Sequence, residues 1–135
     1  MMESLWRPPG AILLDGPLGV GKTTLIQAVL ARAGVPDRVK SPTFDLVHPH
    51  RGPAGLYVHV DLYRLNVPPP PEELDVDARS ALVLVEWGAP WTPYFPDRLA
   101  VRIDLAGTDR RLTMEGIGTW GGRLRHWASH LARRG

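Results

Sequence analysis

The sequence predicts an α/β fold built on a mixed parallel and antiparallel sheet flanked by helices. Three stretches carry that expectation. Ala11 to Leu14 is a short apolar run bounded by glycines, which suits a buried strand, and a glycine cluster follows it directly. From Lys22 to Ala33 the period changes, with Leu25, Ala28, Val29, Leu30 and Ala33 recurring at helical spacing before Gly34 and Pro36 stop the helix. "ALVLVEWG" then sets an unbroken apolar run before Glu86, a second buried strand.

The other elements follow in chain order. "RVKSPTFDLVHPH" is β-rich but interrupted by Pro42, and a glycine and proline turn at Gly52 to Gly55 leads into "LYVHVDLYRL". In the latter, Tyr57, His59, Asp61 and Tyr63 alternate with Val58, Val60 and Leu62, so the two segments are expected to pair as an antiparallel hairpin. Asn66 to Pro71, "NVPPPP", is stiff extended chain that cannot join a ladder. Glu72, Glu73 and Asp75 then suit the first turn of a short helix, where the dipole favours acids. "RLAVRIDL" and "RRLTMEGI" alternate like two strands joined by a turn at Gly107 to Asp109. The tail closes with a helix whose apolar stripe is Leu124, Trp127, Ala128, Leu131 and Ala132, with Arg123, Arg125, Arg133 and Arg134 off it. No internal repeat appears, and residues 1–135 read as a single domain in which residues 1–10 are a short N-terminal segment.

Composition narrows the class. At 135 residues the chain buries an ordinary core but has little room for a separate substrate domain. The absence of cysteine removes disulfides, thiolate metal sites and cysteine nucleophiles. There is no secretory h-region and no apolar run long enough to span a bilayer, so the expectation is a soluble, cytoplasmic protein with no membrane partner. A net charge of +2 with acids interspersed among the bases is weak support for direct nucleic-acid binding. Every basic residue except Lys22 and Lys40 is arginine. Against that background a lysine inside the glycine cluster stands out.

That cluster, "LLDGPLGVGKTTL", fits G-x-x-x-x-G-K-[ST] through Gly16, Gly21, Lys22 and Thr23, and it lies between a strand and a helix as the motif requires. Glycines let successive backbone N–H groups turn inward as an anion nest, and the following helix adds its positive end. Gly16, Pro17, Leu18, Gly19, Val20, Gly21, Lys22, Thr23 and Thr24 are therefore the candidate binding segment for a nucleotide triphosphate. In this motif Lys22 reaches the β- and γ-phosphates and the Thr23 hydroxyl ligates magnesium, so the ligand the loop suggests is a polyphosphate with Mg²⁺. Pro17 costs one donor, and Thr24 has no assigned role beyond packing or capping.

Hydrolysis needs more than a phosphate cradle. Glu86 ends an apolar strand, where a parallel sheet presents residues to its ligand crevice, and it either joins the magnesium shell or orients the attacking water. The plainer alternative is a strand-end carboxylate facing solvent. Asp61 likewise ends a strand and is a second metal candidate, the alternative being a surface ion pair with Arg64. In "SPTF" Pro42 holds Ser41 extended, and Thr43 offers a hydroxyl that can meet magnesium or the γ-phosphate, or serve an ordinary turn. Lys22, Thr43, Asp61 and Glu86 thus form the candidate catalytic set, with Thr23, Thr43, Asp61 and Glu86 as candidate metal ligands. Trp87, followed by Gly88, Pro90 and Trp91, either anchors a partner interface beside the γ-phosphate or packs under the loop. His48, His50 and His59 lack metal-ligand spacing and read as loop or strand-face histidines. The basic tail helix reads as core packing with a solvated face rather than a nucleic-acid phosphate contact.

Taken together, "GPLGVGKTT", "SPTF", "HVDLYRL" and "VEWG" in this order closely resemble the TsaE family, also called YjeE, of bacterial P-loop ATPases in tRNA threonylcarbamoyladenosine synthesis. The resemblance covers about Leu13 to Trp87. It implies a P-loop NTPase-like domain that binds and hydrolyses ATP. The phosphate loop maps to Gly16 through Thr23, the switch threonine to Thr43, the family aspartate to Asp61, and its glutamate and tryptophan pair to Glu86 and Trp87. It also implies work with TsaD and TsaB homologues, with tRNA reached indirectly through their complex, on the adenosine beside the anticodon. Family members usually carry a longer N-terminal segment whose helix helps hold adenine, and an alanine where Val20 stands here. Two rival functions remain: a small P-loop kinase, which needs an acceptor pocket and a lid, and a nucleotide-binding interaction module without turnover.

Overall fold

The computed structural model describes residues 5–36 and 46–134. Six strands form one sheet: β1 (Gly10–Asp15), β2 (Val47–Gly52), β3 (Gly55–Asp61), β4 (Ala81–Glu86), β5 (Arg98–Ala106) and β6 (Asp109–Ile117). Their spatial order is β2-β3-β4-β1-β5-β6. The middle of the sheet is parallel, β3 to β4, β4 to β1 and β1 to β5, whereas β2 and β6 add antiparallel edges through the two expected hairpins. All six residues of β4 are buried, as expected for a strand covered on both faces.

The period of two along each strand sorts the core into two halves. Ile12, Leu14, Leu82, Leu84 and Tyr57 face the side covered by the helices α1 (Lys22–Arg32) and α2 (Trp120–Arg134). Ala11, Leu13, Val58, Val60, Val83 and Val85 face the other side, which Val76, Trp91 and Phe95 cover from irregular chain and 3-10 turns. These two α-helices therefore lie on one face. The expected short helix after the prolines is a single 3-10 turn, Pro71–Leu74, which ends where Asp75 takes a left-handed conformation with φ of 58°.

Two stripes differ from their sequence expectation. On α1 the buried residues are Ile26, Val29 and Leu30 with Lys22, while Ala28 faces solvent, because the i, i+3, i+4 set that meets the sheet starts at Ile26. On α2, Leu124 and Trp127 pack on the core and Ala128 is exposed. Arg123 is also drawn inward: its guanidinium lies 3.8 Å from the Trp120 ring centroid and donates to the carbonyls of Leu5, Arg7 and Pro9. Among the described residues no helix is long and apolar enough to cross a membrane.

Candidate functional site

The glycine cluster fills the turn between β1 and α1. Gly16, Gly19 and Gly21 all take positive φ, at 147°, 78° and 117°. Gly16 is the most constrained, since a Cβ there would collide with the Ile103 carbonyl of β5. Val20 is buried on the core and its carbonyl accepts the Arg110 Nε–H of β6 at 2.8 Å, so the far hairpin braces the loop.

Lys22 is the first residue of α1 and only 4 % exposed. Its ammonium donates to the carbonyls of Gly16 at 2.7 Å and Pro17 at 2.9 Å, and lies 4.0 Å from the Trp87 ring centroid. Burial lowers its pKa, and the nearby charges of Glu86, Asp15 and Asp61 pull back only in part. Asp15, at the end of β1, is shifted the other way: burial raises it, against the Ala89 N–H and the charges of Lys22 and Arg102.

The parallel register brings the carboxylates to the loop. Asp61 pairs with Glu86 at the ends of β3 and β4, and both sit on the face toward α1, in line with Tyr57 and with Leu82 and Leu84. Glu86 is 4 % exposed, so the solvent-facing alternative does not hold. Its Oε1 accepts the Thr23 hydroxyl at 2.7 Å and its Oε2 accepts His59 Nε2–H at 2.6 Å. Burial raises the Glu86 carboxyl, but the hydrogen bonds from His59 and Thr23, with the charges of His59 and Lys22, outweigh it and hold the group below its ordinary value. Asp61 accepts the Tyr63 backbone N–H at 3.0 Å and makes no ion pair with Arg64.

Trp87 leaves β4 with φ of 60°, a left-handed conformation that costs a non-glycine residue about 1–3 kcal/mol. Its N–H donates to the Leu14 carbonyl at 2.9 Å, and its half-buried ring stacks on Tyr63 at 5.0 Å between centroids. A cleft of about 240 Å³ opens between the loop, Lys22, Thr23, Asp61, Glu86 and Trp87. A second, more apolar cleft of about 260 Å³ lies at the other end of α1, among Trp6, Val29 and Tyr57, away from these groups.

Of the residues singled out in the sequence, Leu18, Gly19, Gly21, Lys22, Thr23, Thr24, Asp61, Glu86 and Trp87 thus line one cleft, whereas Gly16, Pro17 and Val20 do not. Thr43 lies outside the described residues. His59 and Asp15 were not among the sequence candidates. The alternation that put His59 on one strand face with Asp61 was the signal available for His59, and Asp15 carried only its place before the loop.

The donor set fits a magnesium-bound triphosphate. A glycine nest at a helix N-terminus with one lysine suits phosphate, and one hydroxyl with two carboxylates suits an ion that keeps substrate oxygens and water in its shell. Among the described residues no group of three or more His, Asp or Glu builds an all-protein metal cage.

Comparison with known proteins gives the family. Residues 1–113 match the family model described as threonylcarbamoyl adenosine biosynthesis protein TsaE. A Streptomyces coelicolor protein named tRNA threonylcarbamoyladenosine biosynthesis protein TsaE is 38% identical over 128 residues, covering 87% of this chain and 86% of its own. A Rickettsia bellii protein of the same name is 34% identical over 110 residues, covering 78% and 76%. The crystal structure of Bacillus subtilus YdiB superposes with a TM-score of 0.73 at 22% identity, over 96% of this chain and 84% of that one, which is a likeness of fold. The family match and these identities over most of the chain are sufficient: this chain belongs to the TsaE family of threonylcarbamoyl adenosine biosynthesis proteins.

Proposed function

We propose that this protein is an ATP hydrolase that binds Mg·ATP and supports threonylcarbamoylation of the adenosine next to the anticodon of tRNA. On this reading it acts in the cytoplasm with TsaD and TsaB homologues and meets tRNA through their complex. The observation that carries the ATPase reading is the hydrogen bond from Thr23 to Glu86 beside the buried Lys22, at the mouth of a glycine nest. The loop N–H groups and the N-terminal end of α1 hold the phosphates, and Lys22 exchanges the Gly16 and Pro17 carbonyls for phosphate oxygens. Magnesium, bound with the nucleotide through Thr23 and a carboxylate, would neutralise charge on the phosphates. Glu86, ionised and fixed by two donors, orients the attacking water, and Asp61 supports it from the neighbouring strand. Thr43 is assigned to sensing the γ-phosphate, and the Trp87 ring, stacked on half-exposed Tyr63, to partner contact.

Phosphate release tests this reading against the kinase alternative. The purified protein, alone and with TsaB and TsaD homologues, is expected to liberate inorganic phosphate from ATP only with magnesium. Phosphoryl transfer to a small acceptor, with no free phosphate, would favour the kinase; tight ATP binding with neither would favour the interaction module.

A further inference from the structure

We infer that His59 is a positioning residue for Glu86: its Nε2–H fixes one carboxylate oxygen so that the other faces the Thr23 hydroxyl at the nucleotide cleft. The inference rests on the ATPase reading above and deepens it.

The geometry is set by the sheet. On β3, His59 and Asp61 lie two residues apart and so share a face, and β4 runs parallel beside them with Glu86 opposite Asp61. From its place one pleat back, His59 reaches Glu86 Oε2 at 2.6 Å with its own side chain 15% exposed. A carboxylate only accepts hydrogen bonds, so the imidazole nitrogen is the donor. On the edge strand β2, His48 stands opposite His59, with ring centroids 5.9 Å apart, and bounds the imidazole on that side.

Two donors from two different elements therefore clamp one buried carboxylate, Thr23 from α1 on Oε1 and His59 from β3 on Oε2. Glu86 is 4 % exposed, and water cannot readily replace a lost donor there. Without the His59 clamp the carboxylate is free to rotate away from Thr23, and its orientation matters most in the transition state. A histidine that only filled space would leave turnover and affinity to fall together with stability.

The test is steady-state phosphate release with His59→Ala and His59→Gln, the latter keeping an N–H donor of similar reach. His59→Ala is expected to lower kcat about 10- to 100-fold with KM near that of the parent, and His59→Gln to recover most of the loss. A His59→Ala protein with parental kcat, or a His59→Gln protein no better than His59→Ala, would overturn the inference. If the parent releases no phosphate either alone or with TsaB and TsaD homologues, the ATPase reading falls, and the inference is read instead by calorimetry with a non-hydrolysable ATP analogue. There His59→Ala is expected to cut the magnesium-dependent gain in affinity about 10-fold and to leave magnesium-free affinity unchanged. An undiminished magnesium-dependent gain would overturn it in that case.

Discussion

Thr23 and Glu86 are 63 residues apart in the chain and 2.7 Å apart in the fold, joined by a hydrogen bond from the first turn of α1 to the last residue of β4. The contact closes the phosphate loop onto a buried carboxylate whose partners hold it ionised. Everything proposed for this cleft depends on that juncture.

Glu86→Gln keeps the shape and the Thr23 contact but removes the charge. Phosphate release is expected to fall about 100-fold or more while KM changes little, since an orienting carboxylate acts mainly in the transition state. The same variant changes acid stability. The folded-state pKa of Glu86 lies below the ordinary 4.5, so its ionised form contributes stability above that value, lost as pH falls through the lowered one. An acid titration followed by circular dichroism should find that part of the pH dependence missing from Glu86→Gln. Asp61→Ala is expected instead to raise the magnesium concentration needed for turnover.

Lys22 gives a second pH signature, of opposite origin. Its folded-state pKa is below 10.5, so between the lowered value and 10.5 the unfolded chain holds more protons and stability rises with pH. Phosphate favours the ammonium form, so nucleotide binding in that alkaline window is expected to take up protons. Calorimetry in buffers of different ionisation enthalpy reads this directly. A buffer-independent heat at alkaline pH, or a buffer dependence that survives Lys22→Ala, would remove Lys22 from the phosphate contact.

The Trp87 ring contacts the Lys22 ammonium, so moving that lysine onto a phosphate must change the ring's surroundings. ATP is expected to alter the intrinsic fluorescence, and the change should vanish in Trp87→Phe, because none of the other four tryptophans, Trp6, Trp91, Trp120 and Trp127, lines the cleft. Trp87→Ala should keep a parental melting temperature and lose association with TsaB and TsaD homologues in a pull-down. A marked drop in melting temperature with normal association would make it a packing residue only.

How much of this was legible in the sequence depends on whether the signal is local. The strand, glycine loop and helix from Gly10 to Arg32 follow from a contiguous pattern, as does the β5–β6 hairpin. Asp61 and Glu86 were readable because strand ends are marked by the end of an apolar run. His59 was passed over because its partner is fixed by the register between β3 and β4, which no spacing within either strand reveals. Arg123 was placed on the solvated side of α2 for a related reason. Its partners lie 114 to 118 residues earlier, at Pro9, Arg7 and Leu5.

Arg123→Ala should therefore act on stability and not on chemistry. It strips the donors from three backbone carbonyls and the cation from the Trp120 ring, a loss of about 1–3 kcal/mol. Denaturant melts should report that shift while phosphate release per folded molecule stays parental. A variant of unchanged stability would show that the N-terminal segment is held by its apolar contacts alone.

The central claim is that nucleotide turnover at this loop supports tRNA threonylcarbamoylation. Its most direct test is nucleoside mass spectrometry of tRNA from cells depleted of this protein and supplied with either the parent chain or Lys22→Ala at equal abundance. The account predicts loss of threonylcarbamoyladenosine on depletion, recovery with the parent, and no recovery with Lys22→Ala. Full modification in cells that hold only Lys22→Ala would contradict it.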